Sequence, residues 1–244
     1  MQDVLQAMSH NRILAGLPAQ EREYLEPSLE LVGLQLGDVL HEQGGRIDCV
    51  YFPVEAAISM TDLVDRKRIV EVTVIGKEGC SGSSVVLGSD RSASMAIVQI
   101  GGKALRLNAA PVVNDQARLP YLTATLRRYN SLLMEHAVIS VGCSQFHTPS
   151  QRVARWLKAH WHRTGLETFP FTADFLAVQV GVEADTVAEI LDKLQKDGVI
   201  TRRRHSMTIT DQEALGRLAC ACFEQVKVAT DGYVAALRNI HESS

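Results

Sequence analysis

The sequence lacks an apolar run approaching the ~20 residues that a membrane-spanning helix requires; its apolar stretches are short and broken by Asp, Glu, Lys or Arg. No membrane association is expected. Met1–Gly16 carries Asp3, His10, Asn11 and Arg12 among its apolar residues and is without the basic start, apolar middle and small-residue cleavage site of a secretory signal. A cytoplasmic location follows as the expectation. The five cysteines (Cys49, Cys80, Cys143, Cys220 and Cys222) are odd in number and scattered. In a chain large enough to fold without disulfides, that usage suits a reducing compartment. No Cys-x-x-Cys pair exists, and Cys220-Ala221-Cys222 is tighter than the usual four-ligand spacing of zinc or iron–sulfur sites. His160 and His162 are not at helical i,i+4 spacing either. No metal and no cofactor are expected. There is no Walker or dinucleotide glycine loop and no nucleophile–base arrangement, so the chain is not expected to be an enzyme. The net charge is −3 and neither half is strongly basic; any nucleic-acid affinity must come from local placement of charge.

What is present is ordinary globular material, 46% apolar and 22% charged, in a length of 244 residues that suits two modest domains. From about Leu31 to Leu107 short strands alternate with turn residues. Cys49-Val50-Tyr51-Phe52-Pro53 and Ala57-Ile58-Ser59-Met60 are followed by the polar link Asp65-Arg66-Lys67-Arg68 and the alternating run Ile69–Ile75, the pattern of a hairpin with one buried face. Further strands are expected at Met95–Ile100 and Ala104–Leu107, and the spacing fits a small barrel or jelly roll.

Beyond Pro120 the period turns helical. Leu119, Leu122, Leu126, Tyr129, Leu133, His136, Ser140 and Cys143 recur at alternating steps of three and four, and a long helix runs over Tyr121–Val141. That seam predicts self-association through Leu119, Leu122, Leu126, Tyr129, Leu133, His136 and Ser140, giving a homodimer. Gly142–Pro149 is expected to break the helix as a hinge, with Ser150 capping a helix over Gln151–Thr164.

Phe171–Leu194 reads as two helices joined at Gly181. Thr172 caps the first; Phe175, Leu176, Val180 and Val182, then Val187, Ile190, Leu191 and Leu194, give each helix one buried stripe. Lys196-Asp197-Gly198-Val199-Ile200 closes the second helix. Arg202, Arg203 and Arg204, followed by the strand Met207–Ile209, form a basic β-hairpin wing suited to phosphate contacts. The sum is a winged helix-turn-helix that binds double-stranded DNA. The stretch Leu215–Ile240 is expected to be helical.

Strand-rich unit, long helix and winged helix-turn-helix, in that order, resemble the Crp/Fnr family of transcription regulators. Asp48–Pro53, Val70–Gly79 and Leu218–Phe223 also resemble one large branch of it. The resemblance implies an α+β fold: an N-terminal β-barrel or jelly roll of the cyclic-nucleotide-binding type, a long dimerisation helix and a C-terminal winged helix-turn-helix. The corresponding division is a sensor over residues 1–115, dimerisation helix and hinge over 116–145, and DNA-binding domain over 146–244. It further implies RNA polymerase as a partner and an inverted-repeat operator.

Two departures stand out. The family's phosphate-binding cassette is matched here by Gly82, Ser83 and Ser84 followed by Arg91, Ser92 and Ala93; Ser83 stands where nucleotide-binding members have Glu. Cyclic AMP is therefore not the expected effector; an unidentified small molecule or none is, with these six residues as the candidate site. No cysteine precedes Cys49, which removes the family's iron–sulfur chemistry, and no motif marks an axial haem histidine. In the recognition helix, the positions where members carry arginine and glutamate correspond to Ala184, Asp185 and Glu189, preceded by Glu183 and followed by the phosphate-facing Thr186. The expected DNA-contacting set is thus Thr172, Glu183, Ala184, Asp185, Thr186, Glu189, Arg202, Arg203 and Arg204. The acidic helix also motivates an alternative, a non-enzymatic protein-interaction module derived from such a regulator with weak or no sequence-specific DNA binding.

Overall fold

The structure, a computed structural model, describes residues 2–65, 68–204 and 206–239. The chain divides into two compact units. One takes the chain up to Asp62, then Val72–His136, then everything from Val228; the other takes Leu63–Glu71 and Ala137–Lys227.

The first unit opens with three short helices, α1 (Gln2–Met8), α2 (Arg12–Ala15) and α3 (Ala19–Leu25). Asn11 caps α2, its Oδ1 accepting from the amides of Ile13 and Leu14. Its Nδ2 donates to the carbonyls of Pro53 and Gly79 at 3.0 and 2.9 Å. One fully buried amide thus both starts a helix and fastens it to the strands.

The strands are β1 (Leu29–Leu34), β2 (Val39–His41), β3 (Cys49–Pro53), β4 (Ala57–Asp65), β5 (Arg68–Ile75), β6 (Met95–Ile100) and β7 (Gly102–Asn108). They form two sheets, ordered β1-β7-β3 and β2-β6-β4-β5. Pairings β1–β7, β3–β7, β2–β6 and β4–β6 are antiparallel. Pro53 lies in an edge strand, where its missing amide leaves no ladder bond unmade. Val50, Phe52, Leu105 and Leu107 of one sheet share a core with Ile58, Ile75 and Ala96 of the other. The unit is a two-sheet jelly roll rather than a closed barrel. Burial does not alternate along β5: Thr73, Val74 and Ile75 are all buried, because Thr73 is covered by His136 while Ile75 enters the core.

After α4 (Ala109–Asn114) comes the long helix α5 (Pro120–Phe146). Gly142 does not break it, and only His147 and Thr148 separate it from α6 (Pro149–Thr164). An interior glycine costs a helix only ~1 kcal/mol, and the neighbouring Cys143 is buried in a packed cluster. The α6 cap is Thr148 rather than Ser150. Its side chain accepts from the Gln151 amide, Gln151 reaches back to the Thr148 amide, and Pro149 occupies the first helical position, where it forfeits no bond.

The second unit continues with β8 (Thr168–Pro170), α7 (Ala173–Val180), α8 (Ala184–Lys196), β9 (Ile200–Arg203), β10 (Ser206–Ile209), α9 (Gln212–Leu218) and the start of α10 (Cys222–Asn239). Its core joins Val153, Trp156 and Leu157 of α6 to Leu176, Val187, Leu191, Met207 and Ile209. β8 pairs with β10 and makes the wing sheet three-stranded, ordered β8-β10-β9. The end of α10 belongs to the first unit, where Tyr233 and Leu237 join the core beside Tyr129. Tyr233 and Leu237, expected from the sequence to group with residues 146–244, thus fall in the first unit. Among the described residues, no helix is long and apolar enough to cross a membrane.

Candidate functional site

The helix-turn-helix is built by local signals. Thr172 caps α7, accepting from the Phe175 amide at 3.2 Å, and α7 ends at Gly181, whose φ of +62° is left-handed. From there the chain turns through Val182 and Glu183 into α8, whose first turn receives no side-chain cap from Glu183. Val187, Leu191 and Leu194 turn inward. Glu183, Asp185, Glu189, Lys193 and Lys196 are exposed, Thr186 is half-buried, and Ala184 packs on the core. The outward face of α8 is therefore acidic at its N-terminal end and basic at its C-terminal end.

The wing is joined to this helix by Arg202. Its guanidinium pairs with the carboxylate of Asp192 and with Gln195 Oε1, and Gln195 also accepts from the Arg202 amide. Arg202 thus holds β9 on α8, whereas Arg203 and Arg204 are exposed at the wing tip. Asp192 and Gln195 were not singled out from the sequence. Their one available signal is that both are polar residues outside the apolar stripe of α8.

Among the expected effector residues, Ser83, Arg91 and Ser92 already have hydrogen-bond partners within the chain. Ser83 is buried, its hydroxyl donating to Asn130 Oδ1 at 3.3 Å, while Asn130 Nδ2 donates to the Ser83 carbonyl. Arg91 donates to the Gly44 carbonyl at 2.8 Å. The Ser92 hydroxyl donates to the Ser94 carbonyl, Gly82 precedes the 3-10 turn that contains Ser83 and Ser84, and Ala93 is exposed.

The expected association seam faces inward. Leu119, Leu122, Leu126 and Tyr129 are buried in the core of their own unit, and the Tyr129 ring packs so closely on Gly79 that a Cβ there would lie 2.1 Å from it. His136 is buried between Thr73 and Thr230, whose hydroxyls lie 3.0 and 3.2 Å from its two ring nitrogens. Leu133 and Ser140 are half-buried. The physical reason is that the jelly roll needs an apolar cover, and this stripe supplies it.

A set of side chains that sequence spacing dismissed comes together at the end of α5. Cys143, His147, Cys220 and Cys222 place their donor atoms within 4.8 Å of one another, all three cysteines being buried. Cys143 Sγ is 3.6 Å from Cys220 Sγ, and Cys222 Sγ is 3.5 Å from His147 Nδ1. The bond from Cys220 and the nearby Arg155 charge hold Cys143 below the ordinary thiol range; the same bond pushes Cys220 up. These four side chains, which sequence spacing did not group, could hold a metal ion. Cys143 and His147 were legible as an i,i+4 pair, but nothing local shows that they meet Cys220 and Cys222.

The chain thus carries a jelly-roll unit and a winged helix-turn-helix. Residues 151–218 match the Crp-like helix-turn-helix domain family. Similar solved structures include a protein assigned to the crp/fnr family of transcriptional regulators from Eubacterium rectale, 13% identical, with a TM-score of 0.70 over 84% of this chain and 96% of that one. FixK2 from Bradyrhizobium japonicum is 14% identical, with a TM-score of 0.67 over 79% and 98%. A CRP/FNR-family transcriptional regulator from Thermus thermophilus is 21% identical, with a TM-score of 0.63 over 78% and 98%. No curated protein matches the sequence significantly. Residues 151–218 thus carry a Crp-like helix-turn-helix domain, and the chain shares the fold of solved Crp/Fnr-family structures.

Proposed function

We propose that the protein is a homodimeric, sequence-specific DNA-binding regulator that recognises an inverted-repeat operator through α8 and the wing. The observation that carries this reading is the Crp-like domain over residues 151–218, with the exposed α8 face, Arg203 and Arg204 arranged as a recognition helix and wing. Arg203 and Arg204 contact phosphates, which sets register and affinity. Glu183, Asp185 and Glu189 accept hydrogen bonds from cytosine amino groups while repelling phosphate, so affinity is traded for selectivity. Thr172 and Thr186 donate to phosphate; Arg202 acts by positioning β9 against α8. The first unit is a sensor for a small molecule other than cyclic AMP, a reading supported by Ser83 at the family's Glu position and by its bond to Asn130. RNA polymerase is the downstream partner.

Selection of bound duplexes from a random pool with the full chain tests the reading. The expected result is enrichment of an inverted repeat. Arg203→Ala is expected to weaken binding across all selected sequences and to reduce the salt slope by about one. No enrichment even at low salt would favour a protein-interaction module, the reading that the acidic face of α8 motivates.

A further inference from the structure

We propose that Cys143, His147, Cys220 and Cys222 form a closed tetrahedral site for a single zinc-like divalent ion. The residues converge because the backbone places them there. Cys143 and His147 are one turn apart, the His147 amide continuing the α5 helical pattern by donating to the Cys143 carbonyl at 3.1 Å. Cys220 and Cys222 flank the corner between α9 and α10. A Cys-x-Cys pair cannot face one ion from a helix, but this corner is not helical until Cys222, and Ala221 between them is exposed.

The distances decide what fits. With zinc–sulfur bonds of about 2.3 Å and zinc–nitrogen bonds of about 2.0–2.1 Å, a tetrahedron has sulfur–sulfur edges of about 3.8 Å and sulfur–nitrogen edges of about 3.5 Å. The Cys143–Cys220 and Cys222–His147 separations of 3.6 and 3.5 Å match both edges. A disulfide would need about 2.0 Å between sulfurs and would leave two of the four donors behind. An iron–sulfur cluster needs its ligands spread around several irons, whereas these four gather around one point.

Charge supports the same occupant. Three thiolates, a neutral imidazole and a dication carry one net negative charge, and Arg155, whose charge favours the thiolate form of all three cysteines, is the nearby counter-charge. Its Nε is buried with no hydrogen-bond acceptor among the described residues. Four protein donors leave no open position for substrate, so the ion is structural. It staples the last turn of α5 to the α9–α10 corner and fixes the two-residue link into α6, the helix on which the DNA-binding core is built. Any effect on operator binding rests on the function proposed above; the site itself does not.

The test is metal analysis of the full chain purified under thiol reductant without chelator. One equivalent of zinc per chain is expected. After chelation, cobalt(II) should restore one equivalent with thiolate-to-metal charge-transfer bands and the intense visible bands of a tetrahedral ion. Cys222→Ser and His147→Ala should weaken cobalt binding by about a hundredfold or more, and His147→Cys should restore it; Cys49→Ser should not matter. Metal-free protein that binds cobalt no better than His147→Ala, or cobalt spectra without thiolate bands, would overturn the proposal, as would a Cys143–Cys220 disulfide under reductant. Because metal content is read without DNA, a zinc-loaded protein that selects no operator sinks the function alone. A metal-free protein that selects one sinks only the site.

Discussion

Glu21 shows how much a single buried side chain carries here. Its two carboxylate oxygens accept the amides of Tyr121 and Leu122, at 2.7 and 2.9 Å, on the first turn of α5. These amides have no partner within the helix, and a negative charge at this end also meets the positive end of the helix dipole. Glu21→Gln keeps one acceptor and loses the charge, so a loss of about 1.5–3 kcal/mol is expected, read as a lower urea midpoint at unchanged slope. His160 carries a different kind of strain. It is packed between Trp156 and Phe169 with both ring nitrogens unbonded among the described residues. Burial, and secondarily Arg163, lower its pKa to about 4; burial alone does the same to His41. Both are neutral in the folded chain at a pH where the unfolded chain, with ordinary values of about 6.5, is taking up protons. Their contribution to stability is therefore complete above about pH 6.5 and is lost progressively as the pH falls to about 4. His160→Phe removes the buried nitrogens and the titration together. Unfolding at pH 5 and at pH 7.5 should show that this variant narrows the gap between the two midpoints; an unchanged gap would put the acid sensitivity elsewhere.

Among the elements, the turn between α7 and α8 is the most exacting. Gly181 has φ +62°, and a Cβ there would come within 3.3 Å of Val70 Cγ2. A left-handed alanine costs roughly 1–2 kcal/mol before any contact is counted. Gly181→Ala should destabilise the chain by at least that amount, read as a lower urea midpoint, and Gly181→Asn should recover part of it, since Asn tolerates this conformation better. The same turn was legible in the sequence because all its signals are local: a Thr cap, a glycine stop, two apolar stripes and a run of arginines. The wing's third strand was not, because β8 is three residues long and ends in proline, and its existence depends on pairing with β10. Nor could local spacing show that Arg202 would be spent on Asp192 and Gln195 while its two neighbours stay exposed. The ligand set is the extreme case, with Cys143 and Cys220 lying 77 residues apart. Spacing rules see only ligands that share an element; these share a corner that the tertiary fold makes.

At the scale of the whole molecule, the homodimer proposed above requires a face of α5 to meet a second copy. Two stripes with steps of three and four run along this helix. The apolar one, legible in the sequence, sends Leu119, Leu122, Leu126 and Tyr129 into the chain's own core. The other, Ala124, Arg127, Ser131, Met134, Val138, Val141 and Gln145, is exposed at every position. Met134, Val138 and Val141 are 67, 65 and 64% exposed, an unusual outlay of apolar surface on consecutive turns of one face. Paired about a two-fold axis this stripe is self-complementary, each apolar residue meeting its own copy or a neighbour, and two helix-turn-helix units so related are what an inverted repeat requires. Val138→Glu sets two carboxylates against each other at the centre of such a seam while leaving the buried stripe untouched. Sedimentation should find the wild type dimeric and the variant monomeric, with an unchanged urea midpoint at monomeric concentrations. The variant should lose about 10²–10⁴-fold in affinity for the full inverted repeat, the advantage of linking two binding events, while its weak, salt-sensitive affinity for a half-site persists. A variant that remains dimeric would move the interface off this face, and a monomeric wild type that still selects an operator would require that operator to be a single half-site.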